Sequence, residues 1–207
     1  MKKGVFIAFE GIDGSGKGTQ AARLAERLKK MGVDFYSTFE PTYSPIGSLI
    51  RNVLTGRIAC DNLSVAALFA ADRLDHLQNN RDGILSKING GTSVICDRYY
   101  FSSYAYHSVD MPMKWVMDAN SQAAALLRPT VTVFIDITAE EAMKRIYAGR
   151  FDTELFENTE RLTKARENYF KAFELTKKEE NVVVIDGSRT PDEIEAAIWE
   201  KLRGYFE

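Results

Sequence analysis

Five short apolar runs, rich in β-branched and aromatic residues, punctuate the chain at residues 5–9, 33–39, 93–96, 131–135 and 182–185. Longer stretches of mixed polarity with helical spacing separate them. Strand-length runs alternating with helices predict an α/β fold, in which a five-stranded parallel sheet is covered by helices on both faces. The first helix is the plainest: Ala21, Leu24, Ala25 and Leu28 fall at i, i+3, i+4 and i+7. Two further helix starts are spelled as capping boxes, Thr138 with Glu141 and Thr190 with Glu193, the second with Pro191 at the first helical position. Spacing also predicts one long helix over residues 63–88 and another through Leu162, Ala165, Tyr169, Ala172 and Phe173. Between these two, residues 149–158 are polar and acidic except for Arg150, Phe151, Leu155 and Phe156, and read as an exposed loop or short lid.

The first run ends in Glu10-Gly11-Ile12-Asp13-Gly14-Ser15-Gly16-Lys17-Gly18-Thr19, which opens directly into the first helix. Glycines at 11, 14 and 16 permit a tight turn that points several N–H groups at one anion. Lys17 adds a point charge suited to nucleotide phosphates, and the helix dipole faces the same place. The spelling departs from G-x-x-x-x-G-K-[ST] at Gly18, where a hydroxyl would meet Mg²⁺; Thr19 stands one residue late. The alternative is a glycine-rich turn with a surface lysine, which the strand, loop and helix order disfavours.

Composition narrows the setting. A chain of 207 residues, 45% hydrophobic and 27% charged, is expected to bury one core as a single domain over residues 1–207. A net charge of −2 argues against nucleic acid or an anionic membrane as partner, so any anionic ligand is met locally. Cys60 and Cys96 lack metal-ligand spacing and read as reduced thiols of a cytoplasmic protein. The N-terminal apolar stretch is interrupted by Glu10 and the glycines before it reaches signal-peptide form.

In an open parallel sheet, ligands bind beyond the carboxyl ends of the strands, and three of those ends carry polar residues. Asp13 in the phosphate loop is suited to hydrogen-bond a hydroxyl of a second substrate, or to steady the loop's own N–H groups. Glu40, after the second strand, suits water-mediated Mg²⁺ binding, a general base, or a solvated turn. Asp97 and Arg98, after the third, suit a metal's water shell and a bidentate grip on phosphate, with a structural ion pair as the alternative. In the middle helix Phe69 and Arg73 stand four apart, so a base can stack on one and hydrogen-bond to the other; core packing and a surface charge are the plain alternatives. Ser102, Ser103, Tyr106 and His107 supply small donors and aromatic walls.

Taken jointly, residues 9–17, Leu68-Phe69-Ala70-Ala71-Asp72-Arg73, Asp97-Arg98-Tyr99 with Ser102-Ser103 and Ala105-Tyr106, and residues 166–169 resemble the thymidylate kinase family, in family order along the whole chain. The resemblance implies a P-loop NTPase fold and phosphoryl transfer from ATP to dTMP, with Mg²⁺ accompanying ATP and a homodimer packed through helices. Carried over by residue, it implies that Gly11 to Thr19 cradle ATP and that Arg145 lies over adenine. Phe69 stacks on thymine, Arg73 and Ser103 read its edge, and Glu40, Ser102 and His107 lie in the same acceptor site. Tyr106 crowds the 2′ position, Asp13 holds the 3′-hydroxyl, and Arg98 holds the 5′-phosphate. Lys17, Arg98, Arg150 and Asp97 form the catalytic set, with Arg150 in the lid supplying charge that Gly14 does not.

The chain departs from the family at several points. Phe39 stands in place of the usual arginine before Glu-Pro, Thr42-Tyr43 in place of a glycine pair, and His107 in place of glutamine. Gly18 leaves Thr19 and Asp97 as outer-shell metal partners. A monophosphate acceptor needs no general base, because its second pKa is about 6. A deoxynucleoside kinase with Glu40 as base is the nearest rival. A P-loop switch predicts an Asn-Lys-x-Asp segment, which the sequence lacks.

Overall fold

The computed structural model describes residues 3–149 and 158–207. Five strands, β1 (Phe6–Glu10), β2 (Phe35–Phe39), β3 (Ser93–Asp97), β4 (Val131–Asp136) and β5 (Val182–Asp186), form one parallel sheet in the order β2-β3-β1-β4-β5. The helices are α1 (Lys17–Lys30), α2 (Pro45–Leu54), α3 (Asn62–Gln78), α4 (Ile84–Asn89), α5 (Tyr100–His107), α6 (Met113–Ala119), α7 (Ser121–Leu126), α8 (Ala139–Gly149), α9 (Thr159–Thr176) and α10 (Pro191–Leu202).

Strand β1 shows why an unbroken apolar run suits this sheet. Alternate side chains leave opposite faces. Phe6 and Ala8 join a core with Tyr99, Tyr100, Phe134 and Tyr169 beneath α5 and α9, while Ile7 and Phe9 join another with Leu24 and Leu28 of α1 and Ile194 and Ile198 of α10. Burying each large side chain contributes roughly 1.5–3 kcal/mol, so a polar residue on either face is costly. Glu10, wholly buried at the strand's end, is therefore conspicuous. Register aligns Phe9 with Asp97 and Phe39 with Asp97, which brings the ends of β1, β2 and β3 to one rim. The chain runs from β1 to one side of the sheet first and to the other side later, so β1 lies where the strand order reverses.

All five expected strands form, with one extra acidic residue at the ends of β1, β3, β4 and β5. The expected helix over 63–88 does not form as one piece. It breaks after Gln78, and α4 resumes at Ile84. Asn79-Asn80-Arg81-Asp82-Gly83 is turn chemistry: Asn79 Oδ1 accepts from Arg81 N at 3.0 Å, and a Cβ at Gly83 would lie 2.4 Å from Asn79 O. The Thr190 capping box is complete. The one at Thr138 is half made, because Glu141 donates its backbone N–H to Thr138 Oγ1 at 3.3 Å but turns its carboxylate to Arg145. Among the described residues no helix is long and apolar enough to cross a membrane. The lid expected over 149–158, with Arg150, lies almost wholly outside the described residues.

Candidate active site

The loop between β1 and α1 is shaped by its glycines. Gly14 has φ +78°, and a Cβ there would lie 2.5 Å from Ala142 O, so the loop packs directly on the backbone of α8. A side chain does not fit at 14, and a basic residue at this place would need a different loop. At Gly11 a Cβ would meet Ile135 O at 2.7 Å. Gly16, at φ +89°, turns the chain into α1.

Asp13 organises the charges here. Its Oδ1 lies 3.6 Å from Lys17 Nζ and pairs with Arg98 Nη2, while its Oδ2 accepts from the Tyr106 hydroxyl at 2.7 Å. That hydroxyl in turn accepts from Asp13 N at 2.9 Å. Burial raises the carboxyl's pKa, but Arg98 and Lys17 outweigh it and hold Asp13 well below its ordinary value. Burial and the neighbouring Arg98 lower Lys17 from its usual value. The alternative in which Asp13 serves only its own loop's N–H groups is thus replaced by a counter-ion shared between two cations.

Arg98 reaches Asp13 through an unusual backbone. Its φ of +72° makes it the one non-glycine residue with positive φ among the described residues, a strain of about 1–3 kcal/mol. The turn lets Arg98 N donate to Phe9 O at 2.8 Å and brings the guanidinium to Ser102 Oγ at 2.9 Å and Gly11 O at 3.3 Å, with Cζ 5.2 Å above the Tyr106 ring. Asp13 and its neighbours outweigh burial and keep Arg98 firmly protonated.

Glu10 is the support that sequence reasoning missed. Oε1 accepts from the backbone N–H groups of Tyr99 and Ser102, at 2.8 and 3.1 Å. Oε2 accepts from Ser102 Oγ at 2.6 Å and Tyr169 OH at 2.8 Å. It thereby satisfies the first turn of α5 from another strand and fixes Ser102 beneath Arg98. Burial raises its carboxyl above the ordinary value despite these four donors. The signal was an acid closing an otherwise apolar strand.

A second cluster lies around Arg73, 1% exposed. Nε donates to Glu40 Oε2 at 2.8 Å, and Nη1 donates to Ser103 Oγ at 3.0 Å and to Asn120 Oδ1. Glu40 Oε1 also takes His76 Nδ1 at 3.1 Å, and His76 Nε2 meets Thr38 Oγ1 at 2.7 Å. Half-buried Phe69 stands beside His107, ring centroids 5.0 Å apart. Burial, then the Arg73 charge, pulls His107 down to about 3, so its ring is neutral at pH 7. Asn120 and His76 were not anticipated. The next turn is held by Asp72, which accepts from Thr42 N and Oγ1 and from Ser44 Oγ, and by Arg51, which donates to Pro41 O and Thr42 O. Phe39 and Tyr43 pack edge to face at 4.7 Å, so these two departures form an aromatic pair.

The ligand atoms of Glu40, His76 and Cys96 lie within 4.8 Å of one another. They do not make a metal centre: Cys96 donates its thiol hydrogen to Arg98 O, burial pushes that thiol well above its usual value, and both His76 nitrogens are engaged. Asp97 differs. Its buried Oδ1 has no hydrogen-bond partner among the described residues, and Oδ2 faces Gly18, where a Cβ would lie 3.0 Å away. An unsatisfied carboxylate oxygen beside a phosphate loop fits a hydrated divalent cation. Ser15 Oγ, also buried in the loop, is likewise without a partner. Thr19 is exposed along α1 and borders a groove with Arg23 and Glu195. Arg145 donates to Glu141 at 3.0 Å and to Gly187 O at 3.0 Å, one turn of α8 beyond the carbonyl that touches Gly14.

The family model for thymidylate kinase matches residues 9–198. The chain belongs to the thymidylate kinase family. Curated relatives agree in length as well as sequence. It is 37% identical to a probable thymidylate kinase of Methanosphaera stadtmanae, over 98% of this chain and 100% of the relative. It is 41% identical to one of Thermococcus onnurineus over 82% and 84%, and 38% identical to one of Pyrococcus horikoshii over 84% of each. The fold of a P-loop thymidylate kinase, an all-parallel sheet with the glycine loop following β1, is what the structure contains.

Proposed function

We propose that this member of the thymidylate kinase family transfers the γ-phosphoryl group of ATP to dTMP, giving dTDP and ADP. The observation that carries the reading is the convergence of Lys17 and Arg98 on Asp13. One cation belongs to the loop after β1 and the other to the turn after β3, and they share one counter-ion on one rim. Transfer between two anions requires them to be held in line with their charge neutralised. Lys17 and the loop N–H groups serve the donor, and Arg98, steadied by Ser102 and Glu10, serves the acceptor phosphate. Asp13 keeps the two cations close while no phosphate is bound. Phe69 stacks on the base, with Arg73 and Ser103 at its edge and His107 behind; Tyr106 borders the sugar. Arg145 serves the adenine side.

Mg²⁺ bound with ATP supplies further charge neutralisation on the phosphates, and Asp97 is the residue suited to hold its water shell. Arg150 remains the proposed lid cation. The expected single kinase domain, a homodimer formed through helices including α3, and residence in the cytoplasm belong to the same reading.

The deoxynucleoside kinase alternative requires Glu40 to accept a proton. Both Glu40 oxygens are already occupied, one by Arg73 and the other by His76, and the residue is 4% exposed. The test is incubation of the protein with ATP, Mg²⁺ and either dTMP or thymidine, following ADP release. Turnover of dTMP is expected; turnover of thymidine and not dTMP would overturn the assignment.

A further inference from the structure

We infer that His76 is a positioning residue for the acceptor base, acting through Glu40 on Arg73; this rests on the proposed role of Arg73 at the pyrimidine edge. The four groups form a continuous relay that is buried from Arg73 to His76 and half-buried at Thr38. Thr38 Oγ1 at the end of β2 meets His76 Nε2 at 2.7 Å, His76 Nδ1 meets Glu40 Oε1 at 3.1 Å, and Glu40 Oε2 accepts from Arg73 Nε at 2.8 Å. His76 and Arg73 stand three apart on α3, so their side chains leave the same face and bracket one carboxylate.

The chemistry fixes the direction of the bond to Glu40. A carboxylate only accepts, so the imidazole carries its hydrogen on Nδ1 towards Glu40, and Thr38 holds the other nitrogen in place. Glu40 is thus pinned at both oxygens. With only Arg73 to bind, the carboxylate is free to rotate about its terminal torsion, which is broad and weakly restrained. The guanidinium would lose its fixed partner on the Nε side, while Ser103 and Asn120 still held Nη1. An arginine that reads a flat base edge needs its plane held. Thr38 and His76 also line a cavity of about 540 Å³ with Tyr36, Asp75 and Asn79, and Arg73 is not part of its wall. Where His76 borders this cavity, the hydrogen bonds at both ring nitrogens hold its orientation.

The test uses two isosteres of opposite register. In His76→Asn the amide nitrogen takes the place of Nδ1 and keeps the bond to Glu40, whereas in His76→Gln it takes the place of Nε2 and leaves Glu40 Oε1 unmet. Both variants are assayed for KM of dTMP and ATP and for kcat, with thermal melts as a fold control. The expected result is that His76→Gln raises the dTMP KM by about tenfold or more, the size of one lost hydrogen bond to a charged group, with the ATP KM and kcat near wild type. His76→Asn is expected to restore the dTMP KM. Equal dTMP KM values for the two variants, or equal losses for dTMP and ATP, would overturn the positioning role. Failure of the wild-type protein to phosphorylate dTMP would instead overturn the functional reading on which it rests.

Discussion

Replacing Arg98 separates what the rim does for catalysis from what it does for stability. Arg98→Ala removes hydrogen bonds to Ser102 and Gly11 O and the pairing with Asp13, while Lys17 at 3.6 Å leaves Asp13 one cation. Because the arginine is half-buried and Lys17 remains, the stability loss should be no more than about 2–3 kcal/mol, within the range for hydrogen bonds to charged groups. The catalytic loss has a different source: a preorganised donor aimed at transferring charge contributes roughly 3–4 kcal/mol, so kcat/KM for dTMP should fall about 10²–10³-fold. Arg98→Gly distinguishes the two. Glycine accepts φ +72° without the penalty of about 1–2 kcal/mol that a side chain carries there, so the glycine variant should be more stable than the alanine variant and equally inactive. Urea melts and an ADP-release assay on the three proteins measure both quantities. If kcat/KM of Arg98→Ala stays within tenfold of wild type, Arg98 does not grip the acceptor phosphate. If the glycine variant is the less stable one, the strain argument is wrong.

Two further outcomes follow from the acceptor side. Phe69→Ala should raise the dTMP KM by about 5- to 100-fold, from the ~1–3 kcal/mol of a base stacked on an aromatic ring, and leave the ATP KM unchanged; equal losses would make Phe69 a core residue. His107 titrates near 3 in the fold and near 6.5 when unfolded, so its neutral, buried ring contributes stability that is present above pH 6.5 and is lost as the pH falls from there towards 3. Its share of that loss has a slope of up to about 1.4 kcal/mol per pH unit. His107→Gln should flatten the fall in unfolding free energy between pH 6 and 4, and denaturant melts with parallel acid limbs in both proteins would contradict the inferred burial cost.

Some of this was legible in the chain and some was not, for physical reasons. A parallel strand buried on both faces is an apolar run, so β1 and β4 were plain; the glycine loop declared itself because few other turns need that spelling. The break between α3 and α4 was written in Asn79, Asn80 and Gly83, but the apolar spacing on either side masked it. Partnerships were harder. Glu10 meets Ser102 and Tyr169, and Arg73 meets Glu40 and Asn120, across 33 to 159 residues of chain. Side-chain type says that such a group needs a partner, and only the fold says which one. For the same reason the sequence offered Asp13 a sugar hydroxyl or its own loop as partners but did not show that Arg98 and Tyr106, 85 and 93 residues away, meet its carboxylate.

The closeness of Gly18 to Asp97 bears on which neighbouring sequences this protein can reach by single steps. Any Cβ at 18 arrives 3.0 Å from Asp97 Oδ2, tighter than ordinary contact. A serine, which would restore the common hydroxyl of phosphate loops, therefore requires the Asp97 carboxylate to give way by a few tenths of an ångström. The two positions are coupled: a side chain at 18 and the carboxylate at 97 have to settle together, and a change at 97 made alone removes the carboxylate while 18 still lacks a hydroxyl. What fits at 18 is thus set in part by a partner seventy-nine positions further along the chain.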